Sequence, residues 1–245
     1  MTAERFSVTV GSDEVVGVLH LPSHRPGPCV VACHGMGASK DSDKYLLLAR
    51  HFPQAGLGLA RFDFRGSGES GGAYADATVA SRIADLDAVL DHLGKRTELD
   101  GRLGLLGSSL GGFVALWVAA SRRPALPAVT WNAPATLRDL GARDPADAYG
   151  PGPALVTEVS QGRYADAPAG ARGILIIQAE QDEVVPAAHA RVLFARALAP
   201  KELHLIPGAD HRLSDLGHRL EAMELSCRWF LRHLQTTAVS ESSEP

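Results

Sequence analysis

The stretch LGLLGSSLGGFVALW, Leu103 to Trp117, decides the fold. Leu103 to Leu106 is a short apolar run of strand character, and Leu110 to Ala120 is apolar almost all round, as a buried helix is. Between them stands Gly107-Ser108-Ser109-Leu110-Gly111. Sharp strand-to-helix turns need glycine, so backbone geometry alone accounts for part of this pattern. A serine held between the glycines at that junction also admits a chemical reading.

Working outward, five more short and mostly non-alternating apolar runs have the character of strands covered on both faces: Cys29 to Cys33, Leu57 to Phe64, Ala128 to Trp131, Gly173 to Gln178 and Leu203 to Ile206. Helical patterns lie between them. Val79, Ile83, Leu86, Leu90 and Leu93 follow a 3.6-residue period, as do Leu216, Leu220, Met223, Cys227, Phe230 and Leu234, with Ser214 expected to cap the latter helix. At the N-terminus, Arg5 to Val10 and Val15 to Leu21 flank a Gly11-Ser12-Asp13 turn and read as a hairpin. Strands alternating with helices predict an α/β fold: a mostly parallel, doubly wound sheet with an antiparallel edge from the hairpin.

The chain has 245 residues, 45% of them hydrophobic, enough for one sizeable core, so a single domain over 1–245 is expected. A formal charge of -4 and the lack of any Lys or Arg run argue against nucleic acid or an anionic membrane as the main partner. A small molecule is the expected partner, and a homodimer stays open. Cys29 and Cys33 lie on one strand, where four steps of ~3.3 Å hold them too far apart for a disulfide. With no leader-like start and no long apolar run, the expected location is the cytoplasm. Pro134 to Gly170, rich in Pro, Gly, Ala and Asp, is longer than an ordinary crossover and reads as a small lid with short helices around Leu137 and Leu155. Thr236 to Pro245 reads as a solvated, flexible tail.

In an open parallel sheet, residues just after each strand meet at the carboxyl edge. Ser109 follows one strand, Glu180-Gln181-Asp182-Glu183 another and Asp210-His211 a third. A serine hydroxyl needs a base to take its proton, and the base needs a carboxylate to hold its tautomer. His211 and His34 are the histidines placed just after parallel strands, and the acid on this reading is Asp182, Glu180, Glu183 or Asp210. The Gly-x-Ser-x-Gly pattern alone is weak, because Gly68-Glu69-Ser70-Gly71-Gly72 matches it as well, in a polar loop with no helix beside it. Attack by serine builds a negative oxygen, and the N–H groups of Met36, in the Gly-rich turn after the first buried strand, and of Leu110 are the candidate donors. Gly35, Trp131, Leu137 and Leu155 are the candidate substrate-lining residues. No metal-ligand cluster and no cofactor motif stands out, so neither metal nor organic cofactor is expected.

His34-Gly35-x-Gly37, Arg61 to Ser70, Gly107-x-Ser109-x-Gly111, Asp182-x-Val184-Val185-Pro186 and Gly208-Ala209-Asp210-His211 stand in an order and spacing that resemble the α/β-hydrolase family over nearly the whole chain. The variant His34-Gly35-x-Gly37-x-Ser39-Lys40-Asp41 is similar to small bacterial esterases of the cinnamoyl and feruloyl type. The resemblance implies an α/β-hydrolase fold, a Ser109–His211–Asp182 catalytic set and cleavage of carboxylic esters of small to medium acyl groups through an acyl-enzyme; thioester or lactone cleavage, acyl transfer, carbon–carbon hydrolysis with the same residues and a non-catalytic ligand-binding role on this fold stay open. Two departures accompany it. Ala179 stands where relatives open the acid loop with Gly, and Tyr149 and Tyr164 are the lid's only aromatic residues, which does not favour a hydroxycinnamate pocket. Asp63 and Arg65 are expected to order the loop after their strand rather than to touch substrate.

Overall fold

A computed structural model describes residues 2–122, 126–139 and 150–234. The expected tail at 236–245, and Leu140 and Tyr149 of the expected lid, lie outside the described residues. Eight strands form one sheet: β1 (Ala3–Val10), β2 (Asp13–His20), β3 (Gly27–Cys33), β4 (Gly58–Phe62), β5 (Leu99–Ser108), β6 (Ala128–Trp131), β7 (Arg172–Ala179) and β8 (Leu198–Ile206). Their spatial order is β1-β2-β4-β3-β5-β6-β7-β8. The hairpin pairs β1 with β2 antiparallel from Val10↔Asp13 outward, and β2 meets β4 antiparallel. From β4 to β8 every pairing is parallel. The α/β sheet with an antiparallel edge is the arrangement expected from the sequence.

Among the described residues six α-helices accompany it: α1 (Asp43–His51), α2 (Val79–Leu93), α3 (Leu110–Ser121), α4 (Pro153–Ser160), α5 (Ala188–Arg196) and α6 (Leu216–His233). Because side chains alternate along a strand, each central strand feeds two cores. Cys29, Val31 and Cys33 of β3, with Ile174 and Ile176 of β7, pack with α2, α3 and α5, whereas Val30, Ala32, Leu175 and Ile177 pack with α1 and α6. Both faces are thereby covered, which is why these strands read as continuous apolar runs.

Several boundaries differ from the expectation for identifiable reasons. β8 begins at Leu198, five residues before the apolar run, because its first half lies exposed at the sheet edge and needs no apolar side chains. β4 ends at Phe62, although Phe64 is fully buried, since the chain leaves the sheet there while its side chain stays in the core. The cap of α6 is Asp215, whose carboxylate accepts from the His218 N–H at 3.1 Å, and not Ser214. The 134–170 segment joins β6 to β7 and carries α4 around Leu155, as expected. Leu137 adjoins an isolated bridge between Thr136 and Asp166, and a 3-10 turn begins at Arg138 and runs to the edge of the described residues. Glu158 on α4 accepts from the Val79 and Ala80 N–H groups at 2.6 and 3.2 Å, so this segment satisfies donors at the start of α2.

Candidate active site

β5 delivers Ser109 to the carboxyl edge of the sheet, and α3 begins at the next residue. Ser109 holds φ 54° and ψ -126°, a strained region for a residue with a side chain, and its N–H is tied to the Trp131 carbonyl at 2.8 Å. The flanking glycines are required by close approach. A Cβ on Gly107 would sit 2.3 Å from the Gly111 carbonyl oxygen, and one on Gly111 would sit 2.2 Å from that of Cys33. The turn therefore closes with backbone against backbone and leaves the serine hydroxyl standing clear.

The loop after β8 brings His211 over it, with Nε2 3.2 Å from Ser109 Oγ. The imidazole Nδ1 lies 2.9 and 2.8 Å from the two oxygens of Asp182, on the loop after β7. Asp182 is an acceptor for four groups: besides His211, its Oδ1 receives the Val184 and Val185 N–H groups at 2.9 and 2.6 Å, and its Oδ2 receives the Gln178 amide at 3.2 Å. Its side chain is fully shielded from solvent. An ionised carboxylate so held takes the Nδ1 proton of His211 and leaves Nε2 as the acceptor facing Ser109. Such a chain can withdraw the hydroxyl proton as the oxygen attacks.

The rival acids are placed elsewhere. Glu183 is exposed and accepts from the His211 backbone N–H at 3.3 Å; Asp210 accepts from the Ser214 N–H at 2.7 Å; Glu180 is exposed. The rival histidine, His34, is buried beneath the site. Its Nδ1–H donates to the Gly35 carbonyl at 2.8 Å and its Nε2 accepts from the Phe64 N–H at 3.0 Å. Burial, together with nearby Arg82, brings its pKa down to about 4, so it is a neutral brace for the turn carrying Met36. The second Gly-x-Ser-x-Gly is equally structural. Ser70 accepts from the Val16 N–H at 2.8 Å and donates to the Asp63 carbonyl at 2.6 Å. Asp63 and Arg65 order their loop as expected. Asp63 binds the buried Lys40 ammonium at 2.9 Å, and Arg65 donates to Asp85 at 2.6 Å.

Two compartments meet at Ser109, Met36 and Val184. The larger, about 620 Å³, runs past His211 toward the first turn of α1 and includes Gly35. The smaller, about 170 Å³, passes Leu110 and ends at Leu137 and His189 beneath the β6–β7 segment. Gly35, Leu137, Met36 and Leu110 thus line the cleft. Two candidates do not. Trp131 is fully buried on the α1–α6 face of the sheet, where its indole N–H donates to Ser226 at 3.0 Å, because strand alternation turns it away from the cleft. Leu155 packs into the core against α2 and α3 and lines neither compartment.

Two residues escaped sequence reasoning. Asn132, with φ 54°, receives the Ala179 N–H at 2.7 Å through Oδ1 and donates through Nδ2 to the His211 carbonyl at 2.8 Å. It ties the acid loop to the base loop. The signal was available, since Asn132 directly follows β6 and the strand-end rule that found Ser109 applies to it equally. Lys44, on α1, donates to Ser108 Oγ at 2.9 Å, and no sequence signal marks it. Burial and the neighbouring Arg219 and Arg212 lower its pKa to about 8. Among the described residues no group of three or more His, Cys, Asp or Glu side chains is gathered to hold a metal ion, and no helix is long and apolar enough to cross a membrane.

Comparison with known proteins places this architecture. Residues 24–151 match the family model Hydrolase_4, described as serine aminopeptidase, S33. An uncharacterized protein of Mycobacterium tuberculosis, Rv2307c, is 31% identical over 201 residues; the match covers 78% of this chain and 65% of that protein, so the chain spans about two thirds of its relative's length. A putative hydrolase from Agrobacterium vitis superposes with a TM-score of 0.75 at 22% identity, covering 93% of this chain and 98% of the other. Est1E from Butyrivibrio proteoclasticus, solved with ferulic acid bound, superposes with a TM-score of 0.78 at 18% identity, covering 94% and 98%.

Proposed function

We propose that this chain, which belongs to the serine aminopeptidase S33 family of α/β hydrolases, is a serine hydrolase that cleaves carboxylic esters of short to medium acyl groups through an acyl-enzyme. The observation that carries the reading is the continuous hydrogen-bonded chain from Ser109 Oγ through His211 to the shielded Asp182. On this reading Ser109 Oγ attacks the ester carbonyl while its proton passes to His211 Nε2, and Asp182 stabilises the imidazolium. The carbonyl oxygen becomes an oxyanion, received by the N–H groups of Met36 and Leu110. The latter opens α3 and has no carbonyl within its own helix to bind. Collapse breaks the carbonyl–oxygen bond, and the leaving alcohol takes the proton from His211. Water then loses a proton to His211, attacks the acyl carbon and releases the acid, and Ser109 recovers its proton.

The leaving oxygen must face His211, so the larger compartment, which His211 lines, receives the alcohol. The acyl group then enters the smaller one, past Leu110 and under Leu137. A volume of about 170 Å³ suits a short to medium chain. An aminopeptidase reading is less well supported, because the larger compartment gathers Lys44, Arg212 and Arg219 against the single carboxylate Asp43, a poor receiver for a free α-ammonium group. The test is labelling of the purified protein with a fluorophosphonate, then turnover of p-nitrophenyl esters of increasing acyl length, thioesters, lactones and aminoacyl anilides. Labelling of Ser109 with turnover of short p-nitrophenyl esters is expected; an unlabelled serine would overturn the proposal.

A further inference from the structure

We propose that the alcohol portion of the substrate carries an anionic group, a carboxylate or a phosphate, and that Lys44, Arg212 and Arg219 receive it. This rests on the serine-hydrolase reading above and names its substrate class. The three cations come from three separate elements, namely the first turn of α1, the loop after β8 and the first turn of α6, and all line the compartment that His211 faces. Gathering them raises the cost of charging Lys44, since Arg219 and Arg212 add their repulsion to its burial. A chain with a formal charge of -4 has no general surplus of cations to distribute, so their concentration beside the nucleophile is a local feature.

Lys44 and Arg219 are held in place by hydrogen bonds. Lys44 is anchored to Ser108, the residue before the nucleophile. Arg219 is braced by donations to the Leu213 and Ser214 carbonyls at 3.1 and 3.2 Å, which fixes the guanidinium in the wall. The carboxylates near Lys44 and Arg219 are exposed or engaged with other groups. Asp43 lies 3.7 Å from Arg219 and is 84% exposed, and Asp210 is engaged with Ser214. The leading N–H groups of α1, which have no carbonyl within the helix, add positive potential at the same end of the compartment. The other compartment differs in charge: its wall holds Leu110, Leu137, Val185 and Pro186 beside His189 and the carboxylate Asp139, and no Lys or Arg among the described residues. The cleft is therefore polarised in charge: a side without Lys or Arg for the acyl chain and a cationic side for the leaving group. Charge-assisted hydrogen bonds to such a group orient the ester over Ser109.

The test compares phenyl acetate, 4-acetoxybenzoate and 4-acetoxyphenylphosphonate, each kcat/KM divided by the ester's own alkaline hydrolysis rate to remove leaving-group reactivity. At low salt the anionic esters should exceed phenyl acetate by about 10-fold or more. The advantage should shrink as salt is raised, and the larger of the two enhancements identifies the anion. Lys44→Glu and, independently, Arg219→Glu should each reduce the ratio of anionic to neutral ester by about 10-fold. An equal or lower normalised rate for both anionic esters in the wild-type protein would overturn the proposal while leaving the hydrolase reading intact. If fluorophosphonate labelling and turnover fail altogether, calorimetry with 4-hydroxybenzoate, phenylphosphonate and phenol still decides it. Tighter binding of either anion than of phenol, lost in Lys44→Glu, supports the cationic site, and equal binding refutes it.

Discussion

The chain contains the same five-residue pattern twice, and the two copies stand in opposite surroundings. At Gly107 to Gly111 the serine sits between a buried strand and a buried helix, at φ 54°, with its hydroxyl facing His211. At Gly68 to Gly72 the serine sits in a loop, and both hydrogen-bonding capacities of its hydroxyl are used by the backbone, the Val16 N–H and the Asp63 carbonyl. A hydroxyl satisfied by the backbone is structural. One held away from its own backbone and offered a base is available for chemistry. The pattern is identical, so the difference lies in what the surrounding elements leave unsatisfied.

The comparison can be broken most directly at its reactive end. Ser109→Ala should lower ester turnover roughly ten-thousandfold or more while the melting temperature stays within about 2 °C, because the hydroxyl contributes little to packing. Large residual turnover in purified protein would show that the two serines are not so different. A somewhat smaller loss, about 10²- to 10⁴-fold in kcat, is expected for Asp182→Asn. With the amide oxygen still accepting from Val184 and Val185, its NH₂ faces His211 Nδ1 and enforces the wrong tautomer. Glu183→Gln, at an exposed side chain that accepts from the His211 backbone N–H, should change kcat by less than about threefold. Steady-state kinetics on both variants separates these outcomes.

At the structural end, Ser70→Ala should leave the labelling of Ser109 unaltered and cost ~1–3 kcal/mol by orphaning the Val16 N–H. That corresponds to a fall of about 2–8 °C in a thermal melt. A Ser70→Ala protein that is stable but inactive would reverse the assignment. The smallest effect is expected at Lys44→Met, which removes a charge whose burial is unfavourable and should raise stability by ~1 kcal/mol at pH 7. Burial first, and Arg219 and Arg212 next, lower the folded pKa of Lys44 from 10.5 to about 8. Between those values the unfolded chain binds a proton that the folded chain does not, so wild-type stability rises with pH there and the advantage of the variant fades. Melts between pH 7 and pH 10 measure this, and an advantage constant with pH would show that Lys44 is not strained by its charge.

Legibility in the sequence followed burial. Strands covered on both faces announce themselves as apolar runs, so β3, β6 and β7 were found close to their true extents, while the exposed first half of β8 carries no such signal. The meeting of Ser109 and His211, 3.2 Å apart, was legible because the strand-end rule narrows the search to a few loops. Asp182 was not separable from Glu180, Glu183 and Asp210 without the family resemblance, since which carboxylate turns inward depends on the Val184 and Val185 N–H groups that receive it. Trp131 was misread because a large aromatic side chain at a strand end faces the cleft or the core according to strand parity, and parity puts it with Val129 on the core side. Lys44 and Arg219 meet across the sequence by more than 170 positions, and only folding brings them to one wall.

The Asn132 side chain has a consequence for how this protein can change over time. Loops at the carboxyl edge are where chains ordinarily gain and lose residues. Here the loop after β7 and the loop after β8 are both measured against one amide, through the Ala179 N–H and the His211 carbonyl. An insertion in either loop is tolerated only if both distances survive, so the two lengths are constrained together. The segment between β6 and β7 begins just beyond Asn132 and, among the described residues, is tied to α2 through Glu158 and to α5 through Ala135 rather than to the acid and base loops together. Length variation among descendants of this chain is accordingly expected to accumulate there, altering what is admitted to the cleft without moving the atoms that act on it.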